Sequence, residues 1–351
     1  MNRIILKDVT DIAQNVDSHR FSGKKILLTG AVGFLGTYFT HYFLNLNDIG
    51  ILKDKCHLIC LDNFSRGIPN WLENLKSRSD ITILEKDIVK CKEFEVCDFV
   101  IHAASIASPI YYRINPIETM DANVIGFRNL LDFFNSNKCE SFLYFSTSEI
   151  YGDPDDLNIP TKETYRGNVS CTGPRACYDE SKRYGETLAV NFWKQKKFPV
   201  KIVRPFNNYG PGLKITDKRV VPDFFKNILE GNDIEILSNG KTTRTFCYVS
   251  DAITGYLQLL LSDFNGESFN IGTESPEISM TQLAEKIIDL LDLPNKVVYR
   301  KSSDNEYLTD NPERRCPDLS KSKSMLNYNP KIGLDEGLIR VYEYYKTEEN
   351  L

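Results

Sequence analysis

"KKILLTGAVGFLGTYFTHYFL", residues 24–44, opens on an apolar run, turns through three glycines and continues as an amphipathic stretch. That order reads as strand, glycine-rich loop, helix. Gly30, Gly33 and Gly36 follow the strand directly. Glycines there permit a tight turn, let backbone N–H groups approach a pyrophosphate, and allow the helix to pack closely on the strand. Taken alone, the spacing also fits a merely structural strand-to-helix turn.

Working outward, further apolar runs occur at "HLICLD", "ITILEKD", "DFVIHAA", "SFLYFST" and "VKIVRPF", separated by helix-like stretches such as "NPIETMDANVIGFRNLLDFFN" and "YDESKRYGETLAVNFWKQ". Strand and helix alternating in this way predict an α/β fold, a Rossmann-type doubly wound parallel sheet covered on both faces. Beyond about residue 205 the pattern loosens, which predicts a smaller mixed C-terminal substrate-binding region forming a second wall over the strand ends. The expected division is a leader over 1–22, a dinucleotide-binding domain over 23–205 plus about 245–273, and a substrate region over about 206–244 and 274–346. The leader reads either as a disordered tail or as an arm on a partner subunit.

Composition narrows the class. The chain has 351 residues, 41% hydrophobic and 26% charged, an ordinary globular balance. A net charge of -5 without a dense Lys/Arg run leaves no electrostatic footprint for nucleic acid or an anionic membrane. No apolar window has signal-peptide length or approaches the ~20 residues of a membrane span, so a soluble, cytoplasmic protein is expected. The nine cysteines are scattered without a C-x-x-C pair and read as reduced thiols. His19, His41, His57 and His102 lie far apart, so no metal site is expected.

The strand after the glycine loop ends at Asp62, where a carboxylate can accept hydrogen bonds from the adenosine ribose and repel a 2′-phosphate. NAD is therefore expected over NADP. The gap from the glycines exceeds the usual ~20 residues because "NDIGILKDK" intervenes. Asp87, in "EKDI", falls near the expected adenine, with a solvated strand-end carboxylate as the alternative.

For chemistry, "CYDESKR" (177–183) places Tyr178 and Lys182 on one helical face. "YEYYK" does the same for Tyr342 and Lys346, so spacing alone does not distinguish the pairs. Position does. "YFSTSEIYG" ends a strand at Ser146, Thr147, Ser148 and Glu149, where a nicotinamide would sit. A tyrosine with a reference pKa near ~10 is a poor base unless a neighbouring ammonium favours its phenolate, which Lys182 would do. No glycine loop or strand-end hydroxyl precedes Tyr342, and that pair reads as part of a surface helix.

With "TGAVGFLG", "STSEIYGDP", "YDESK", "RPFNNYGPG", "TTRTFCYVSD" and "FNIGTESPEISM" in order, the chain resembles the extended short-chain dehydrogenase/reductase superfamily and its nucleotide-sugar epimerase/dehydratase group, from Gly23 to Tyr345. "YRGNVSCTGPRACYDESKRYGETL", "ASIASPIYYRINPIET" and "RRCPDLSKSKSMLNYNPKIGLDEGL" resemble the UDP-glucuronate decarboxylases, the UDP-xylose synthases. The resemblance implies Tyr178 as base, Lys182 as its electrostatic partner, Thr147 bonded to the sugar oxygen at C4, and Glu149 acting on the ring or the enol. It implies a cofactor site of Gly30, Gly33, Phe34, Leu35, Gly36, Asp62, Asn63, Asp87, Ile88, Ala103, Tyr178 and Lys182. For the substrate it implies Ser148, Arg175, Asn207, Arg219 and Arg244, with Arg315 near the uronate carboxylate. Ser148 stands where dehydratases carry an Asp, which disfavours elimination of water.

The implied reaction oxidises C4 of a UDP-linked uronic acid, loses CO2 from the resulting β-keto acid and re-reduces C4. Arg166 replaces an aromatic residue usual in xylose synthases, and "KSSDNEYLTDNPERR" is longer than the matching stretch; both are expected near the sugar. A 4-epimerase or 4,6-dehydratase on the same framework, or a non-catalytic binding protein, stays open on the sequence. Related enzymes are dimers, and Leu188, Val190 and Phe192 fit either a dimer seam or the core.

Overall fold

The computed structural model describes residues 1–302, 304 and 306–348. Ser303 and Asn305, within the long segment before Arg315, lie outside the described residues. The core is a seven-stranded sheet: β1 (Lys25–Thr29), β2 (His57–Asp62), β3 (Ile81–Glu85), β4 (Phe99–His102), β5 (Ser141–Phe145), β6 (Val200–Pro205) and a seventh strand, Ser268–Ile271. All neighbours are parallel, in the order seventh strand, β6, β5, β4, β1, β2, β3. Helices cover both faces, so every residue of β5 is buried and the inner strands are largely apolar. Strand order reverses between β1 and β4, which opens a crevice at their carboxyl ends.

The first segment is a helix, α1 (Arg3–Asn15), and not the tail or arm that its polar composition suggested. Asn2 caps it by accepting from the Ile4 amide at 2.9 Å. Ile5, Val9 and Ile12 recur at helical spacing and are buried, with α1 packed against α2 (Phe34–Asp48) and the Val249–Leu260 helix. Asp8 is fully buried on the same face. It accepts from the hydroxyls of Tyr38 and Tyr248 at 2.8 Å each and pairs with Arg340 of the Leu334–Glu348 helix.

That last helix also carries Tyr342 and Lys346. It buries Leu338, Val341 and Tyr345, so it packs where a surface helix was expected. The half-buried Tyr342 stacks on Phe225 with centroids 6.1 Å apart and takes part in packing.

Beyond β6, short strands build the second wall. Thr243–Arg244 lies between Ile278–Ser279 and Arg314–Arg315, in a register that sets Arg244 beside Arg315. Ile234–Ile236 pairs with Val297–Tyr299. The Met280–Leu290 helix starts from a capping box of Ser279 and Gln282. All nine cysteines are free. Among the described residues no helix is long and apolar enough to cross a membrane.

Candidate active site

One cavity of about 840 Å³ runs along the crevice, from the glycine loop to the C-terminal wall. Its floor is the β1–α2 turn. Gly30 sits at φ +72°, and a Cβ there would come within 2.8 Å of the Ala103 and Ala104 backbone. A Cβ on Gly36 would stand 2.1 Å from the Gly30 carbonyl oxygen. Both positions are thus closed to side chains. Gly33 caps α2 without a side-chain partner, and Gly33, Phe34, Leu35 and Gly36 line the cavity at the helix N-terminus, where free N–H groups favour an anion. Asp62 Oδ2 accepts from the Val32 amide at 3.1 Å and Oδ1 from the Phe64 amide at 2.9 Å, tying the glycine loop to the end of β2. Burial pushes its carboxyl up. Asn63, Asp87, Ile88 and Ala103 complete this side of the cavity, Asp87 closing its own turn onto the Val89 amide at 2.9 Å. A narrow glycine cradle, a helix N-terminus and a strand-end carboxylate fit a dinucleotide.

Further along, Tyr178 and Lys182 project from the Ala176–Lys196 helix toward the end of β5. Thr147 holds extended backbone there and accepts from the Glu149 amide at 3.2 Å. Burial pushes the Tyr178 phenol up to about 12, and its hydrogen bond with Thr147 works against that rise. Lys182 Nζ donates to the Phe145 carbonyl at 2.7 Å and lies 5.8 Å from the Tyr178 ring centre; burial brings it down to about 7. Tyr112 stacks flat on Tyr178, centroids 5.0 Å apart and planes within 6°. Behind the helix, a π-turn at Ala122–Gly126 aims Asn123 Nδ2 at Ser181 Oγ, 2.9 Å away. Glu186, on the same helix, takes a hydrogen bond from Ser146 and a two-pronged one from Arg204. The helix and the β5 exit are therefore locked together.

Beyond Thr147 the cavity turns strongly cationic. Glu149 Oε2 meets Arg175 Nη2 at 2.6 Å and Arg315 Nη2 at 2.5 Å. Burial would raise this carboxyl, but Arg175, Arg315 and Arg244 outweigh it and hold Glu149 down at about 2. Arg315 also donates to Asn207 Oδ1 at 3.4 Å, and Asn207, at φ +39°, donates to the Thr245 carbonyl at 2.8 Å. Arg244 donates to the carbonyls of Thr243, Pro312 and Glu313, and burial with Arg315 alongside lowers its guanidinium. The Nε atoms of Arg175 and Arg315 are buried without a hydrogen-bond partner. Two guanidiniums thus grip one ionised carboxylate with a third charged nearby, and Arg175 and Arg315 keep donors to spare, which suits an incoming anion.

Thr147, Ser148, Glu149, Arg175, Tyr178, Lys182, Asn207, Arg219, Arg244 and Arg315 all line this one cavity. Arg219 leans on Asp217, its Nε 3.0 Å away, and Asp217 also takes Arg66 at 3.1 Å. Arg166 does not join them: it is exposed, and its carbonyl accepts from Arg183 at 2.8 Å. The long segment does contribute, through Glu306, Tyr307, Leu308, Thr309 and Asn311. Sequence reasoning missed Tyr112, Asp179 and Asp217. Asp179 had a signal in its place next to Tyr178; the other two gain meaning only from the fold.

The model of the NAD dependent epimerase/dehydratase family matches residues 26–272. Two UDP-glucuronic acid decarboxylases of Arabidopsis thaliana, numbers 1 and 6, are each 37% identical to the chain. The first match covers 92% of this chain and 70% of the relative, the second 93% and 90%. Among solved structures, a UDP-glucuronic acid 4-epimerase from Bacillus cereus in complex with UDP-glucuronic acid and NAD superimposes with a TM-score of 0.75 and 26% identity. That match covers 92% of this chain and 99% of the other.

Proposed function

Because the chain belongs to the NAD dependent epimerase/dehydratase family, we propose that it decarboxylates a UDP-linked hexuronic acid, converting UDP-glucuronate to UDP-xylose. Its cofactor is NAD. The observation that carries the reading is the cluster of Arg175, Arg244 and Arg315 around an ionised Glu149, next to Thr147 and Tyr178. A cationic pocket beside the oxidation site is what a sugar with a C6 carboxylate requires.

NAD, when bound on Gly30, Gly33, Gly36 and Asp62, supplies the hydride acceptor and donor for C4. The residues of the chain handle the protons and the carboxylate. Tyr178 takes the C4 hydroxyl proton, oriented by Thr147; burial alone disfavours its phenolate, and the positive charge that bound NAD would bring, together with the Lys182 ammonium 5.8 Å from the ring centre, would favour it. Arg315 and Arg175 hold the C6 carboxylate in place until C4 is a ketone. The C5–C6 electron pair then moves into an enol and CO2 departs. Glu149, held ionised, cannot donate the proton that C5 then needs; it accepts a hydrogen bond from a water molecule, which would pass a solvent proton to C5. Tyr178 returns its proton to the C4 oxygen as the pentose forms. Ser148, with no carboxyl, offers no acid to expel a hydroxyl as water.

We read residues 23–205 with 245–273 as the cofactor domain and 206–244 with 274–346 as the substrate region of a cytoplasmic homodimer. Support for a dimer lies in Ile114, Ile117, Met120, Ile125 and Tyr184, large apolar side chains exposed on and beside the helices that flank Tyr178. Leu188, Val190 and Phe192 are half-buried and pack against the core cluster. A single monomer boundary in sedimentation at micromolar concentration refutes the dimer.

The likeness to the 4-epimerase favours a second reading, in which C4 is oxidised and re-reduced from the other face with the carboxylate retained. Product mass separates the two. Purified protein incubated with UDP-glucuronate and NAD should release CO2 and a UDP-pentose; an unchanged mass indicates epimerisation. No CO2 from any of a panel of nucleotide uronates refutes the decarboxylase.

A further inference from the structure

Asp179 follows Tyr178 in the first turn of its helix, with a side chain only 6% exposed. Its Oδ1 is buried without a hydrogen-bond partner, and so is Arg175 Nε. Arg175 Nε and Asp179 Oδ2 stand 4.0 Å apart, about 1 Å beyond a hydrogen bond. Meanwhile Arg175 Nη2 is on Glu149 at 2.6 Å. Two carboxyls face one guanidinium, and only Glu149 has it.

We propose that Asp179 is a positioning residue that acts through Arg175: as a neutral carboxyl it leaves Arg175 committed to Glu149, and its ionisation draws Arg175 away. The idea rests on the reading of Glu149 and Arg175 as parts of the catalytic site. The groups facing Asp179 are Glu149 from the turn after β5, Tyr112 from the Pro109–Ile114 helix, Asp310 and Arg315 from the C-terminal segment, and Arg175, Cys177 and Tyr178 on its own helix. Burial, then the charge on Glu149, push the Asp179 carboxyl up to about 8, against the smaller pull of Arg175 and Arg315. Below that pH the carboxyl keeps its proton and the Arg175–Glu149 pair is intact. Above it, a second buried carboxylate competes for the same guanidinium, and the unmade 4.0 Å contact closes at the expense of the 2.6 Å one.

Glu149 and the substrate carboxylate depend on Arg175, so turnover should fall as the solution becomes alkaline. The test compares the wild type with Asp179→Asn, whose side chain is neutral at every pH. From about pH 7 to about pH 9.5 the kcat of the wild type should fall about ten-fold, and that of the variant at least about three-fold less steeply. Superimposable pH profiles overturn the proposal, as does a folded, NAD-binding Asp179→Asn protein with no turnover at neutral pH, since the ionised carboxylate would then be needed. Infrared spectroscopy reads the proton without reference to any reaction. The carbonyl stretch of a protonated carboxyl should appear in the wild type at about pH 7, fade by about pH 9.5 and be missing from the variant. No such band overturns the proposal whatever the substrate, whereas a wild type that shows the band but releases no CO2 overturns only the function. Should Asp179→Asn not fold, Glu149→Gln reads the same coupling, because removing the neighbouring charge should lower the Asp179 carboxyl and weaken the band at neutral pH. An undiminished band there also overturns it.

Discussion

Glu149 is the residue on which the proposed chemistry and local stability meet. Its carboxylate neutralises part of the Arg175, Arg244 and Arg315 cluster, and all four side chains line the cavity wall. Replacing it by Gln keeps the shape and removes the charge, leaving guanidiniums to repel one another in a poorly solvated place. Breaking a buried pair in this way costs about 3–5 kcal/mol. Glu149→Gln should therefore lower the melting temperature measurably and reduce kcat by about a hundred-fold or more, with added UDP-glucuronate restoring part of the stability by supplying the missing anion. A melting curve identical to wild type would refute the charge argument. The sign with pH follows from the depressed carboxyl. The stabilisation from Glu149 is complete above the ordinary glutamate value of ~4.3 and is lost as pH falls through about 2. Any loss of activity between pH 6 and pH 4 should accordingly persist in Glu149→Gln.

Among the elements, the β1–α2 turn makes the sharpest prediction. The 2.1 Å approach that a Cβ on Gly36 would make is to a backbone carbonyl, which has no flexible end to swing aside. Gly36→Ala must therefore displace either α2 or the loop, and NAD affinity measured by calorimetry should drop at least about ten-fold. Wild-type affinity would show that the helix N-terminus does not hold the cofactor. This turn was legible in the sequence because glycine spacing and the adjoining apolar run are both local. The sheet was legible for a related reason: with both faces covered, β1, β2, β4 and β5 read as largely apolar runs, and β6 keeps that character although it buries Lys201 and Arg204. Arg244 and Arg315 were found through motif resemblance, since only strand register makes neighbours of residues so far apart in the chain. Nothing local marks Tyr112, which stacks on Tyr178 from another helix. The helix in the leader was not legible because its charged residues mask a five-residue apolar stripe of Ile4, Ile5, Val9, Ile12 and Ala13, and because a carboxylate such as Asp8 is an unusual thing to bury.

In the whole molecule, α1 packs on α2 and the Val249–Leu260 helix, while the Leu334–Glu348 helix packs on the Val220–Leu229 and Met280–Leu290 helices. Asp8 links them through Arg340, Tyr38 and Tyr248. Asp8→Asn should cost about 2 kcal/mol in chemical denaturation, less than for a fully isolated pair because Arg340 keeps Glu336. Unchanged stability would show that the buried charge contributes nothing. The pair also has a history in time. Asp8 and Arg340 are separated by 332 positions, so during synthesis from the N-terminus Asp8 exists long before its counter-charge does. Until the closing helix emerges, a buried Asp8 would have two phenols and no cation, and the solvated carboxylate is the cheaper state. Within the described chain, α1 is made long before the residue that secures it.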